Sequence, residues 1–509
     1  MLQFILRRIG ISALVLLMGS ALMFFATINA GDPLQDLRES RATNRDQLIA
    51  ARIDNMNLDL PWWQRYLSWL AGAGKCLALQ CDLGTSRDGA NINALLLSSA
   101  GASLRLVSLS VALAIVIGIL LGVLSAIRQY SGFDYAITFL AFLFFSLPVF
   151  WAAVLLKEFG AYRFNNWIAD PALATTAMAV IAVVFAVVVA AVLGGGLRRE
   201  AITFAVTAVV VFGAVLVFDR VDWWRQPALG LPIIIVGALA ALAFFLVLTV
   251  GLSERRILYS GLGTVATGIV AYFVTAPVVR DPSGWWVVLA LGLVALVVGA
   301  AIGWFFGGFQ KKIAMFVCGG TALAFAFLVF MDQLLRNWGG FLQQVPRPIK
   351  TIGDAAIPYQ KLDGNFYIIM YNWGVQLVLP TIVLTLISIA GYSRYTRSSM
   401  LETINQDYIR TARSKGLSDR VVYSKHALRN ALIPITTIVA FDFANLLGGA
   451  VVTETVFGWK GLGDMFKTGL DFVDPGPVMA YYVVAGTAAV FMNMLADIAY
   501  AFLDPRIRR

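Results

Sequence analysis

Long apolar runs separated by short polar breaks dominate this chain, and their length sets the first expectation. A bilayer core is crossed by about 20 apolar helical residues, and stretches of that size recur from one end of the chain to the other. The first spans residues 9–28; a polar stretch at 31–102 follows, and then come runs at 103–126 and 136–156. Six more fill the middle, at 172–193, 201–218, 229–252, 257–278, 285–306 and 313–331. A second polar stretch, 332–372, carries Pro346, Pro348 and Pro358 and leads to the last three runs, at 375–390, 431–452 and 478–502. Backbone N–H and C=O groups find no partners in hydrocarbon, so runs of this kind are helices. The pattern predicts an all-α, polytopic membrane protein with about twelve transmembrane helices. Gly118 and Gly122 form a GxxxG pair on the second of them, a spacing that lets a neighbouring backbone come close.

Composition agrees: 59% of the 509 residues are hydrophobic, 13% are charged, and the mean hydropathy is +0.78. A soluble domain carries about 25% charged residues. The net charge of +10 sits at the ends of the apolar runs, which leaves no solvated basic domain for nucleic acid. With the N-terminus in the cytoplasm and one crossing per run, Arg128, Arg198, Arg199, Arg255, Arg256, Lys311, Lys312 and the basic stretch 394–429 all fall inside. So do Arg506, Arg508 and Arg509, while Trp223, Trp224, Trp285 and Trp286 mark the outer interface. Both termini are therefore expected in the cytoplasm. The first run follows Arg7 and Arg8 and is longer than a signal-peptide core, so it is expected to remain as a span. One His and three Cys leave little room for a protein-made metal site. Cys318 lies in an apolar run. Cys76 and Cys81 share the polar stretch expected outside the cytoplasm, where a disulfide and two free thiols are both open.

The most informative stretch is DYIRTARSKGLS at 407–418, followed by HALRNALIP at 426–434. Leu401, Ile404, Tyr408 and Ala412 fall on one face at helical spacing. Gly416 can end that helix in the left-handed conformation, and Ser418 can cap the next, which runs to Pro434. A small, basic helix–glycine–helix elbow is shaped to dock on a partner. On charge alone, a solvated loop that fixes topology is the simpler reading.

The same residues resemble, at almost every position, the coupling-loop signature of dipeptide and oligopeptide permeases, the membrane subunits of ABC importers. Similar pieces recur in the expected order: Phe4-Ile5-Leu6-Arg7-Arg8, Gly31-Asp32-Pro33, Asp82-Leu83-Gly84-Thr85-Ser86, Ser146-Leu147-Pro148, RSSMLE at 397–402, ETVFGW at 454–459 with Gly461-Leu462-Gly463, and LDPRIR at 503–508. The resemblance covers roughly 1–165 and 370–509. It implies a six-helix importer core in two parts, 1–165 with the outer loop 31–102, and 366–509 with a cytoplasmic coupling loop at 394–434. About six hydrophobic helices and an outer loop, 166–365, would be inserted between them. The chain would be the channel-forming subunit of an ATP-driven importer for peptides or peptide-like solutes in the bacterial inner membrane. Tyr408, Arg410, Thr411, Ala412, Lys415, Gly416 and Leu417 would meet a separate ATPase subunit. The broader permease motif has Glu-Ala-Ala where this chain has Arg410, Thr411 and Ala412, a departure usual in the peptide subclass.

No GxxxxGK[ST] phosphate loop occurs; Gly72-Ala73-Gly74-Lys75 is too short and runs into Cys76. The chain is therefore expected to be no enzyme and to bind no cofactor, with ATP and Mg on two ATPase subunits or domains. The other implied partners are a second permease, homologous or identical, an extracytoplasmic solute-binding protein, and membrane lipid.

Within the spans, Asp442 and Asn445 lie three apart and are candidates either for lining a solute path or for bonding a neighbouring helix. Glu454 either lines the outer vestibule or holds the following loop, and Asp497 is assigned a structural role. The inserted helices are nearly uncharged and apolar on all sides, as lipid-facing helices are; a partner, lipid or stability role is expected for them. Three rivals remain. A permease of the same family for nickel, glutathione or sugar is the first. An ion-coupled secondary transporter needs more buried titratable groups than Asp442 and Asp497, and a membrane enzyme needs convergent catalytic groups.

Overall fold

The computed structural model describes residues 2–78, 80–251, 254–358 and 361–503. Asp504–Arg508 of the LDPRIR piece and the side chains of Phe4–Arg8, Asp497 and Leu503 lie outside the described residues. The chain forms two compact units, one built from 1–161, 351–354 and 377–509, the other from 162–350 and 355–376. No β-strand occurs among the described residues.

The first unit opens with α1 (Leu2–Ile28), followed in the polar stretch by α2 (Gln35–Arg38), α3 (Arg45–Met56) and α4 (Trp62–Gly74). Next comes α5 (Ile92–Ile127), 36 residues long, whose first amides at Asn93 and Ala94 are accepted by the Asn91 side chain. This helix starts well before the expected 103, because Ile92 and Leu462 share a buried cluster against which Leu95 and Leu96 pack. The expected run 136–156 is broken into α6 (Gly132–Ser146) and α7 (Val149–Lys157). The chain turns by 99° there, since Leu147, preceding Pro148, takes the extended conformation that proline imposes.

The second unit contains α8 (Phe164–Ala169), α9 (Thr175–Leu193), α10 (Leu197–Arg220), α11 (Gly230–Thr249), α12 (Arg255–Val274), α13 (Ala276–Arg280), α14 (Trp285–Phe306), α15 (Lys311–Arg336) and α16 (Trp338–Gln344). It also holds the beginning of α17 (Phe366–Ile404). Helices α9 and α10 pair across Gly194-Gly195-Gly196, while α15 packs against α11, α12 and α14. Gly299 and Gly303 of α14 lie so close to the backbone at Cys318 and Ala314 that a methyl group would overlap it. Asp332 is 0% exposed and fully engaged. It accepts the amides of Leu229 and Gly230, both at 2.9 Å, at the positive end of α11, and pairs with Arg336 Nε at 2.8 Å.

The rest of α17 returns to the first unit, which closes with α18 (Asp407–Ser414), α19 (Asp419–Val421), α20 (Leu428–Gly449), α21 (Val451–Phe457), α22 (Leu462–Asp471) and α23 (Pro475–Leu503). Helix α23 packs on α1, α5, α20 and α22. In α5, Gly118 and Gly122 face Tyr392, Ser393 and Thr396 of α17, so the GxxxG pair serves a close crossing of those two helices. Ten described helices are long and apolar enough to span a membrane, and the bent stretch after Gly132 brings the number to eleven. The 22-residue α20 covers the remaining expected run. This is a multi-pass, all-α membrane protein.

Candidate functional site

The elbow is built on a small apolar cluster. Ile409 and Ala412 of α18 are buried with Met400 of α17, Ala126 of α5 and Val422, Ala427 and Ala431 beyond the turn. The Ser399 hydroxyl donates to the Ala431 carbonyl at 2.9 Å, and Asn430 Nδ2 donates to the Tyr408 hydroxyl at 2.8 Å. Two expectations change here. Tyr408 is exposed and sits on the flank, because the chain breaks between α17 and α18 and resets the helical phase. Ala412, expected at the partner contact, is buried in this cluster.

Arg410, Thr411, Lys415, Gly416 and Leu417 are exposed. The hydroxyls of Thr411 and Ser414 turn back onto the carbonyls of Asp407 and Arg410, both at 3.0 Å. Gly416 has φ +74°, and nothing lies within 4 Å of where its Cβ would stand. The glycine is required by the left-handed turn, not by crowding within this chain. After the turn, Ser418 occupies the N-cap position of α19 but its side chain caps nothing. The chain then runs through a π-helical turn at Val422–Ala427 into α20, so Pro434 lies inside a helix rather than at its end.

Beside the elbow lies a carboxylate that sequence reasoning missed. Asp134, in the first turn of α6, is 2% exposed and receives Arg397 Nε at 2.7 Å and Nη2 at 2.8 Å. The Ser125 hydroxyl and the Tyr130 amide also donate to it. This bidentate clamp joins the ends of α5, α6 and α17, and Ala126 in the elbow cluster follows Ser125 directly. Arg397 stood in a recognised motif, but nothing in the sequence named its partner.

The polar residues expected on a solute path divide. Asp442 Oδ2 accepts from the Tyr392 hydroxyl at 2.7 Å and the Ser388 hydroxyl at 3.0 Å, tying α20 to α17. Asn445 is exposed. Glu454 does not line any open surface: it is 1% exposed. Its Oε1 accepts from the Ser103 hydroxyl at 2.5 Å, and its Oε2 accepts the amides of Gly463 at 2.7 Å and Asp464 at 3.1 Å. A carboxylate there caps α22. Just before that helix, Trp459 is buried and its indole donates to the Ala102 carbonyl at 3.1 Å.

The polar stretch after α1 folds onto the same end of the first unit as α22. Cys76 and Cys81 are joined by a disulfide. Leu83 and Gly84, the latter at φ +84°, lead to Arg87, whose amide donates to Asp474 Oδ2 at 2.8 Å while its guanidinium stacks 3.7 Å from the Phe472 ring centroid. Burial pushes the Asp474 carboxyl up from its ordinary range, against the pull of the Arg87 and Gly476 amides. For Asp36 burial acts in the same sense, but the Arg52 hydrogen bond and the charges of Arg52 and Arg87 outweigh it and hold the carboxyl low.

Many helices, long enough to span a bilayer, define an integral membrane protein with a packed elbow at the end of one helical unit. Residues 182–509 match the model of the binding-protein-dependent transport system inner membrane component, and the chain belongs to that family. It is 36% identical over 200 residues to the oligopeptide transport system permease protein OppB of Mycobacterium tuberculosis, a match covering 39% of this chain and 59% of that protein. It is 47% identical over 132 residues to the oligopeptide transport system permease protein AppB of Bacillus subtilis, covering 26% and 42%. With the dipeptide transport system permease protein DppB of Escherichia coli it shares 42% identity over 146 residues, covering 29% and 42%. The chain thus spans 59% of the mycobacterial relative's length and 42% of the other two.

Proposed function

We propose that this chain is the channel-forming subunit of an ATP-driven importer for peptides or peptide-like solutes, with the elbow around Gly416 seated on a separate ATPase subunit. The carrying observation is the division of the elbow into a buried face, Ile409 and Ala412 of α18, and an exposed one, Arg410 and Thr411 of α18 with Lys415 and Leu417 in the turn that follows it. The inner face bolts the elbow to α5, α17 and α20 through Ala126, Met400 and Ala431, so a push on the outer face reaches three helices together. Closure of the ATPase partners would then bias the bundle between two arrangements. Similarity to relatives named for oligopeptide and dipeptide transport supports the solute class.

In this reading the elbow and both termini face the cytoplasm, as the distribution of Lys and Arg supports. A second permease, two ATPase subunits or domains and a solute-binding protein complete the assembly. The ATPase subunits hold ATP and Mg, and this chain hydrolyses nothing. Gly416→Val forces a β-branched residue into a left-handed turn. It is expected to cut ATP-dependent peptide uptake about tenfold, a loss of about 1.4 kcal/mol in coupling, while the chain still inserts and co-purifies with its second permease. A single cysteine at Leu417 should crosslink to the ATPase subunit. Labelling of that cysteine only from the extracytoplasmic side, or undiminished uptake in the valine variant, would sink the reading.

Asp442 gives a second test. Asp442→Ala removes the acceptor shared by Ser388 and Tyr392 and is expected to loosen the α17–α20 contact by about 1–3 kcal/mol and to impair uptake. Asp442→Asn keeps an acceptor oxygen and should restore both melting temperature and uptake. An asparagine variant that melts normally but does not transport would show that the charge itself serves the path.

A further inference from the structure

Gly263 lies inside α12, where glycine weakens a helix, yet nothing stands within 4 Å of its missing Cβ. No neighbour demands the glycine; what it does is leave a groove open. That groove has a volume of about 500 Å³ and runs between α12 and α14, lined by Arg256, Ser260, Gly263 and Thr267 on one side and Ile302 and Phe305 on the other. The Ser260 and Thr267 hydroxyls donate to the carbonyls of Arg256 and Gly263 on their own helix, at 2.8 and 2.9 Å, so their protons are already spent.

One end of the groove is different. Arg256 lies over Gly308, at the turn from α14 to α15. Arg255, Arg256, Lys311 and Lys312 gather around that turn with Glu254 as the acid among them in sequence, a balance of 4 − 1 = +3. Helices α12 and α15 both begin there, adding the positive ends of two helix dipoles. Lys311 Nζ sits 4.8 Å from the Trp304 ring centroid, and Trp304 and Tyr259 are exposed, the residue types that mark the headgroup level of a bilayer.

We propose that this groove binds an anionic phospholipid, its phosphate at Arg256 and one acyl chain along the floor opened by Gly263. The cluster selects for negative charge, and basic pockets between membrane helices are suited to such headgroups. A free anion would use the cations and leave the apolar floor empty, whereas a lipid uses both. The site belongs to the second unit alone, uses none of the elbow, and stands independently of the transport reading.

Native mass spectrometry of the full-length chain with its co-purifying subunits tests this, using phosphatidylglycerol, phosphatidylcholine or inorganic phosphate as the added probe. Phosphatidylglycerol should be retained about fivefold better than phosphatidylcholine, and Arg256→Gln should lose about that factor, the contribution of one basic residue near a charged surface. Arg256→Lys should regain most of it. Gly263→Leu, which fills the groove and leaves every charge in place, should lose retention at an unchanged melting temperature. Equal retention of the two lipids, indifference to both the Gln and Leu variants, or displacement of the lipid by inorganic phosphate alone would each overturn the proposal.

Discussion

Replacing Arg397 by methionine is expected to destabilise the first unit by about 3–5 kcal/mol, the cost of leaving a buried charge without its partner. Asp134 is 2% exposed and Arg397 is 29% exposed, so the two sides of the clamp are not equivalent. Without the guanidinium, the Asp134 carboxylate keeps the Ser125 hydroxyl and the Tyr130 amide but, at 2% exposed, gains no water in its place. Without the carboxylate, Arg397 can turn outward, and Asp134→Leu should cost less, about 1–3 kcal/mol. The double variant should be less destabilised than Arg397→Met alone. Thermal melts of the purified protein in one detergent give all three values. Because Ala126 follows Ser125 into the elbow cluster, the methionine variant should also expose the chain near Arg413 and Lys415 to trypsin. Similar, small losses in both single variants would mean that the clamp carries no net pairing energy.

Apolar run length made the helices legible, because in lipid that length is a physical requirement. What it could not show was where a run bends or extends. Pro148 divides one expected span, since the residue before a proline avoids the helical region. Residues 92–102 contain Ser98, Ser99 and Gly101 and look like a loop, yet Ile92, Leu95 and Leu96 pack against α22 and α23 and hold them in helix. Proline usually ends helices, so Pro434 looks like a boundary in sequence; in the structure a π-helical turn precedes it and the helix continues.

At the elbow, Gly416 was legible because a glycine after a helical pattern commonly adopts positive φ. The face of α18 was not. The stripe 401–412 assumed one unbroken helix, and the break at Asn405-Gln406 turned Ile409 inward in place of Tyr408. Asp134 was illegible for a different reason. Its partner lies 263 residues away, and a lone acid after Ser131 looks the same in sequence whether it is solvated or clamped. Charges in membrane proteins are sorted by tertiary neighbours, which periodicity does not report.

Glu454 is where that sorting has the second-largest expected consequence. Its carboxylate takes the amides of Gly463 and Asp464 and the Ser103 hydroxyl, and Gly461 leaves no room there for a methyl group. Glu454→Ala strands buried donors of the first turn of α22 and opens a cavity beside them; about 3 kcal/mol is expected. Glu454→Gln keeps an acceptor but turns an NH₂ group toward donors, so an intermediate loss of about 1 kcal/mol should follow. Lys460 and Lys467, exposed on either side of the α22 start, report the same event: trypsin should cut there faster in the alanine variant. The glutamine variant should fall between it and the parent. If the alanine variant melts and resists trypsin like the parent, the carboxylate is not holding α22. A role in the path would then return, and with it the question of how a solute could reach a side chain that is 1% exposed.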